Sequence, residues 1–404
     1  MDKVTAAIAD ARAVQNPLMM GAMPSNHAPR AARHRHEKAH LMKRMDRKSG
    51  KWTTNHPRYR LLEALWAYTR YRERHMAELD RWRTLYKSTL ESTIGYKKKL
   101  DEIEGLILAN AAICKDMVQN AMQFYSIEQK ELDAHMTLAE KDGRQADRFA
   151  TSQTLKHYVR DWADEGLKER NEAFPCILSM LKTIKSEYPD DTKLSVLLPG
   201  SGLGRLGHDV ANLGGFEVTL NEWSMFMNVG YRYMDAQTRA HTLTVHPFID
   251  AMSHHATTTD MLRPISVPNT VPHPDVLVVE GDFNTVLNDK EATFDTLVTH
   301  FFIDTARNLM AYFDTIHRLL KPGGRWINFG PLLYGTGPLV QLSLEEIISV
   351  VEAMGFVFED IDPQCGALTF EGAKVRSKEA EYGFNLRALT RHAYLAQVWM
   401  VRKM

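Results

Sequence analysis

Apolar residues return every three or four positions from Tyr59 to about Glu140. In "RLLEALWAYTRYRERHMAELDRW" the stripe is Leu61, Leu62, Leu65, Tyr68 and His75. In "LDEIEGLILANAAICKDMVQNAMQFY" it is Ile103, Leu106, Ile107, Ala111, Ile113 and Met117. This spacing predicts two or three amphipathic helices without internal proline, their aromatic stripe serving as a packing face. A polar break, "EKDGRQAD", precedes two further helical stretches, "TLKHYVRDWADEGLKERNEAF" and "CILSMLKTIKSEYP".

The pattern then changes. "KLSVLLPG", "FEVTLNEW", "DVLVVEGDF", "FDTLVTHFFID" and "GRWINFGP" are short apolar or β-branched runs bounded by Gly, Pro, Asn or Asp. The helical segments "GRLGHDVANL", "TARNLMAYFDTIHRLL" and "SLEEIISVVEAMG" alternate with them, which predicts an α/β fold with a doubly wound parallel sheet. "FVFEDID" and "AYLAQVWMVRK" can close it as an antiparallel edge. The stretch between "NEWS" and "DVLVVEG" is longer than one crossover helix requires. An insertion at about 232–275 is therefore expected, lying over the site as a lid. Its His254 and His255, with Asp250 and Asp260, match no familiar metal-ligand spacing, and no metal is expected.

Composition changes this picture little. Of 404 residues, 44% are hydrophobic and 25% charged, and formal net charge is zero, which gives the whole molecule no bias toward nucleic acid or membrane. The charge is unevenly placed: from Arg30 to Arg60 there are eleven Lys/Arg against two acids. The expected organisation is a basic mobile arm (1–55), a helical region (56–150) and a catalytic domain (151–404). Three scattered cysteines, Cys114, Cys176 and Cys365, suggest neither a disulfide framework nor a zinc site, and hence a reducing compartment. With no signal-peptide pattern or membrane-length apolar run, a cytoplasmic protein is expected, with nuclear entry open through the arm.

Candidate chemistry centres on "LLPGSGLGRLG", Leu197 to Gly207. Gly202, Gly204 and Gly207 fit the GxGxxG of dinucleotide sites, while Gly200, Gly202 and Gly204 alternate where a strand passes into a helix. Glu222, ending the next strand, suits two ribose hydroxyls, which NAD and S-adenosylmethionine both offer. Asp282 and Phe283 suit an adenine, one accepting from its amine and the other covering its face; a turn Asp followed by a core Phe is the alternative. "HRLLKPGGRWINFGP" decides between the two cofactors, because a helix ending in Leu-Lys-Pro-Gly-Gly before an apolar strand belongs to class I methyltransferases and not to dehydrogenases.

With "LLPGSGLGRLGHDVANLGGFEVTLNEWSMFM", "EGDF", "FFIDTARNLMAYFDTIHRLLKPGGRWINFGPLLY" and "VRK", the chain closely resembles the carnosine N-methyltransferase family from roughly Thr154 to Lys403. The resemblance implies a Rossmann-like class I methyltransferase fold with a seven-stranded, mostly parallel sheet and an N-terminal helical extension. It implies S-adenosyl-L-methionine as cofactor and transfer of its methyl to an imidazole nitrogen of carnosine, giving anserine. It assigns His157, Arg160, Gly200, Glu222, Asp282 and Phe283 to the cofactor, with Arg160 on its carboxylate; Gly202 of the same turn joins them, and His300, just ahead of "FFID", is open to either cofactor contact or core packing. Asp304 is assigned to catalysis, and with Gly335, Tyr382, His392 and Tyr394 it lines the substrate pocket. Three positions depart from the family pattern: His157 replaces a glutamine, Gly335 a histidine and His392 a tyrosine.

The chemistry explains an acid at position 304. An imidazole of pKa about 6.5 is largely neutral at pH 7, so no strong base is needed. A carboxylate accepting the far N–H leaves the near nitrogen bare and stabilises the charge that develops. Asp304 could equally cap the helix in "TARNLMAYF". The expected partner is a small dipeptide, with neither membrane nor nucleic acid; the N-terminal helices could form a homodimer or cap the sheet. Two other readings remain open: methylation of histidine within peptides or proteins, and nucleic-acid binding through the basic arm.

Overall fold

The computed structural model describes residues 32–85, 88–335 and 337–404. Helices α1 (Ala32–Met45), α2 (Pro57–Thr69), α3 (Tyr71–Leu85), α4 (Ser88–Ile94), α5 (Tyr96–Tyr125) and α6 (Gln129–Lys141) form the N-terminal layer. Next come α7 (Arg148–Trp162) and α8 (Leu167–Ser186). The α/β unit runs β1 (Leu194–Pro199), α9 (Arg205–Asn212), β2 (Phe216–Glu222), α10 (Met225–Asp235), β3 (Leu243–Val245), α11 (Thr258–Leu262), β4 (Ile265–Val267), β5 (Leu277–Glu280), α12 (Phe283–Val286) and β6 (Phe294–His300). It continues with α13 (Leu309–Leu319), β7 (Leu320–Gly330), α14 (Leu344–Ala353), β8 (Phe356–Glu359), β9 (Ala367–Leu368), β10 (Arg376–Glu381) and β11 (Ala393–Lys403).

The main sheet has the order β5-β2-β1-β6-β7-β11-β10-β9, with β8 also paired to β11. Strands β5, β2, β1, β6 and β7 are mutually parallel, and β11 enters antiparallel beside β7. Their sequences are near-continuous apolar runs because helices cover both faces. The chain goes from β1 to β2 on one side and later to β6 on the other. A crevice therefore opens beyond the C-terminal ends of these strands, the usual ligand position in such sheets.

All seven strands expected from the sequence form. Strands β9 and β10 extend the sheet to nine, and β11 is an inner strand between β7 and the β8/β10 pair, not an edge. The stretch Thr154 to Phe174 is not one helix: α7 stops at Trp162, a 3-10 turn spans Asp164–Gly166, and α8 continues through Pro175. Gly166 permits this reversal, since a Cβ there would strike the carbonyls of Val159 and Arg160.

The expected mobile arm needs correction in its described part; residues 1–31 lie outside the described residues. Helix α1 docks where β5 leaves its outer edge unpaired. Leu41 and Met45 are buried, the Arg33 guanidinium donates to the carbonyls of Val218 and Asp275, and Arg44 donates to the Glu280 carbonyl at 3.3 Å. Covering an edge strand removes a template for intermolecular pairing, and here it occupies arginines that the sequence offered to nucleic acid. Helices α2 and α5 pack on α10, and α2 and α3 pack on α7. Tyr125 of α5 donates to Glu280 Oε2 at 2.8 Å, and Arg232 of α10 donates to Oε1 at 2.7 Å, a buried triad joining this layer to the sheet.

The insertion is a two-stranded β3–β4 hairpin carrying α11, and α10 reaches Asp235, into its expected start. It is tied to the C-terminal loop by the Leu389 N–H to the His254 carbonyl (2.8 Å) and by Arg387 to Asp260 (3.1 Å). The cysteine reading is also corrected: Cys176 of α8 and Cys365 form a disulfide although 189 positions separate them. Packing of α8 against β10 brings them together. Among the described residues, no helix is long and apolar enough to cross a membrane.

Candidate active site

The turn after β1 is built for close approach. Gly200 has φ +61°, and a Cβ there would collide with the Phe302 ring. Gly202 has φ +56° and faces the crevice, its nearest side-chain atom across the gap being Arg160 Nη2 at 3.6 Å from where a Cβ would stand. At Gly202 the positive φ is what favours glycine, while at Gly200 the approach of Phe302 adds to it. Gly202 N–H donates to Glu222 Oε2 (2.8 Å), and Ser224 N–H donates to Oε1 (2.7 Å). The backbone thus fixes the carboxylate, leaving lone pairs for hydroxyls. Burial pushes its pKa up, against those amides and the Arg60 guanidinium.

Helix α7 supplies the opposite wall. Arg160 donates Nε to Asp161 Oδ1 (2.8 Å) and Nη2 to His157 Nδ1 (2.9 Å), while its Nη1 is buried without a partner. Burial, then the Arg160 charge, drives the His157 pKa down to about 3, so its imidazole stays neutral and accepts from the arginine. His157 thereby performs a hydrogen-bonding task that a glutamine oxygen could also perform. His300, at the end of β6, is likewise pushed to about 3 by burial and then by Arg160; its ring lies edge-on to Phe174 and Phe301.

These groups enclose a cavity of about 210 Å³ bringing together His157, Arg160, Gly200, Gly202, Glu222, His300 and Tyr382. Tyr382 lies under the Arg160 guanidinium, 4.6 Å from ring centroid to Cζ, and stacks on Phe301 at 4.7 Å. The donor set fits S-adenosylmethionine: the orphaned Nη1 lacks the acceptor that an amino-acid carboxylate provides, and Glu222 offers acceptors for ribose hydroxyls.

Other expected residues are placed differently. Asp282 is exposed and caps α12, accepting from Asn284 N–H at 2.9 Å. Phe283 is buried, edge-on to Phe302 (5.4 Å) and Tyr312 (5.5 Å). Asp304 sits in a 3-10 turn just past β6, 8% exposed, with Oδ2 accepting from Leu333 N–H at 3.2 Å. It does not cap α13; Asn308 does. It is not among the residues lining the 210 Å³ cavity. Burial raises its pKa to about 6 against its backbone hydrogen bonds. Gly335, close in sequence to Leu333, is exposed with open space around it. Tyr394 meets Phe301 edge-on at 5.9 Å, and His392 lines a neighbouring cavity.

Sequence reasoning missed Phe301 and the pair Arg60–Trp223. Phe301 holds φ +51°, strained for a bulky residue, between the cofactor cavity and Tyr394. Arg60 of α2 lies 3.6 Å over the exposed Trp223 ring and donates to the Trp223 carbonyl. Burial lowers its pKa to about 10, with Glu222 and Asp282 opposing. Residue 223 directly follows the strand-ending acid, which was the available signal; nothing local pointed to residue 60.

The family model for carnosine N-methyltransferase matches residues 134–404. The chain belongs to the carnosine N-methyltransferase family. It is accordingly an S-adenosylmethionine-dependent N-methyltransferase, as the fold and donor set are suited to support. Carnosine N-methyltransferase of Mus musculus is 35% identical over 272 residues, covering 64% of this chain and 67% of that one. Its namesake in Schizosaccharomyces pombe is 31% identical over 322 residues, covering 73% and 78%. That of Dictyostelium discoideum is 33% identical over 263 residues, covering 61% and 53%. The family match begins within α6, so α2 and its Arg60 lie outside it.

Proposed function

We propose that this enzyme methylates an imidazole ring nitrogen of carnosine, giving anserine. The observation carrying the reading is Asp304: a buried carboxyl in the turn just past β6, three positions along the chain from the cavity-lining Phe301, with Leu333 N–H donating to its Oδ2. S-adenosylmethionine, when bound, supplies a methyl made electrophilic by its sulfonium.

The chain's part is binding, orientation and exclusion of water. Arg160 Nη1 binds the cofactor carboxylate and Glu222 the ribose, and the glycine turn lets the backbone approach. Asp304 accepts the N–H of the acceptor's remote nitrogen, which selects the tautomer with the near nitrogen bare. As the new N–C bond forms, the ring becomes cationic and the same carboxylate stabilises it. The ring N–H proton then leaves toward solvent. Phe301, Tyr382 and Tyr394 wall the path with aromatic surface.

The test is incubation of the purified protein with carnosine and labelled cofactor. Methylated imidazole is expected; its absence with cofactor binding intact refutes the reading. The open space at Gly335, where the family pattern has histidine, favours a second reading with histidine in peptides as acceptor. Faster turnover of histidine-containing peptides than of carnosine would select it.

A further inference from the structure

A second cavity, of about 300 Å³, adjoins the first. Tyr382 lines both. Helix α7 spans the two: His157 and Arg160 face the cofactor cavity, whereas Gln153 and Lys156 face the second. The four positions, spaced i, i+3, i+4 and i+7, lie on one face of the helix, so that single face passes beneath both cavities. Across from Lys156 the insertion contributes Asp250, His254 and His255, and the C-terminal loop contributes His392. Lys156 Nζ meets Asp250 Oδ2 at 2.8 Å, with the side chains 20% and 15% exposed. The His255 Nδ1 is buried without a hydrogen-bond partner. The insertion and loop are held against each other by a β-bridge between His255 and Ala388.

From this geometry we infer that the second cavity is a bipolar subsite for the charged tail of a zwitterionic acceptor, Asp250 receiving its ammonium group and Lys156 its carboxylate. The inference rests on the imidazole-methylating reading above. A lysine–aspartate pair facing a cavity keeps spare bonding capacity: the ammonium has three N–H donors and the carboxylate about four lone-pair sites, and their mutual bond uses one of each. Half-buried, the pair is less screened than a surface pair, so a ligand bearing the two opposite charges is preferred to one bearing a single charge. A free dipeptide of β-alanine and histidine carries both charges away from its ring. A histidine inside a protein chain carries neither, so the same subsite discriminates against protein acceptors.

The test compares carnosine, N-acetylcarnosine and carnosine amide on the wild-type enzyme, then on Asp250→Asn and Lys156→Met, with cofactor affinity measured throughout. On the wild type, each blocked dipeptide is expected to show KM raised about tenfold or more with kcat within about threefold. Asp250→Asn is expected to lose discrimination against the acetylated compound, and Lys156→Met against the amide, each with cofactor Kd unchanged. Wild-type enzyme that methylates all three dipeptides with equal KM overturns the subsite while leaving the imidazole reading intact, and this arm needs no variant to fold. Variants that fold, bind cofactor normally and retain full discrimination also overturn it. Wild-type enzyme that binds cofactor and methylates none of the three removes the imidazole reading and the subsite with it.

Discussion

The two halves of the site are built differently. In the cofactor half, Glu222 is held at both oxygens by backbone amides and Arg160 by two neighbours on its own helix. These partners lie close together in sequence or on adjacent parallel strands. In the acceptor half, Asp304 takes one hydrogen bond from a distant loop, Gly335 leaves open space, and His392 and Asp250 come from segments that meet through a few contacts. Preorganisation is therefore strong where the ligand is shared by many methyltransferases and weaker where the acceptor is chosen. The low-contact half is where closure on binding is expected.

Asp304→Ala sharpens this contrast most. It should lower kcat by about 2–4 kcal/mol of transition-state stabilisation, a factor of roughly 30 to 1,000, with cofactor Kd unchanged by calorimetry. Arg160→Lys tests the other half. The lysine cannot reproduce the fork holding Asp161, His157 and a ligand carboxylate together, so cofactor Kd should rise by about 1.5–3 kcal/mol with a smaller effect on KM for carnosine. A matching kcat loss without weaker binding would break the division.

Acidity separates the halves as well. The Asp304 carboxyl has a folded-state pKa of about 6, above its ordinary value of 3.8. Between these values the folded state binds more protons than the unfolded, so stability from this group falls as pH rises through that window. Activity runs oppositely, because the acceptor role needs the carboxylate, and kcat should fall below about pH 6. Asp304→Asn should raise Tm at pH 7 and reduce the acid limb of the pH–rate profile to that of the acceptor imidazole alone, near pH 6.5, whereas Glu222→Gln should leave both components in place. The smallest effect is expected at Arg60→Met. Loss of its contact over Trp223 should weaken cofactor binding by about 0.5–1 kcal/mol, followed by tryptophan fluorescence during titration with spent cofactor.

The same asymmetry governs what the sequence made legible. The five parallel strands were readable because a buried parallel sheet demands unbroken apolar runs. Strand β10 was not: Arg376–Glu381 reads "RSKEAE", with only Ala380 buried, and it pairs because β11 offers it an edge. Gly200, Gly202, Glu222, Arg160, His157, His300 and Tyr382 converge on one cavity. Asp282 and Phe283 obey more local demands, a helix cap and an aromatic cluster. Nothing in spacing could join Cys176 to Cys365, or bring Asp250 of the insertion to Lys156, because tertiary packing alone makes those meetings.

The account stands on Asp304 selecting the tautomer of the acceptor ring, and the isomer composition of the product reads this directly. Proton NMR of methylated carnosine should show a single ring isomer from the wild type, and a mixture of both isomers in the slow residual product of Asp304→Ala. A single isomer formed at undiminished rate by the variant would contradict it.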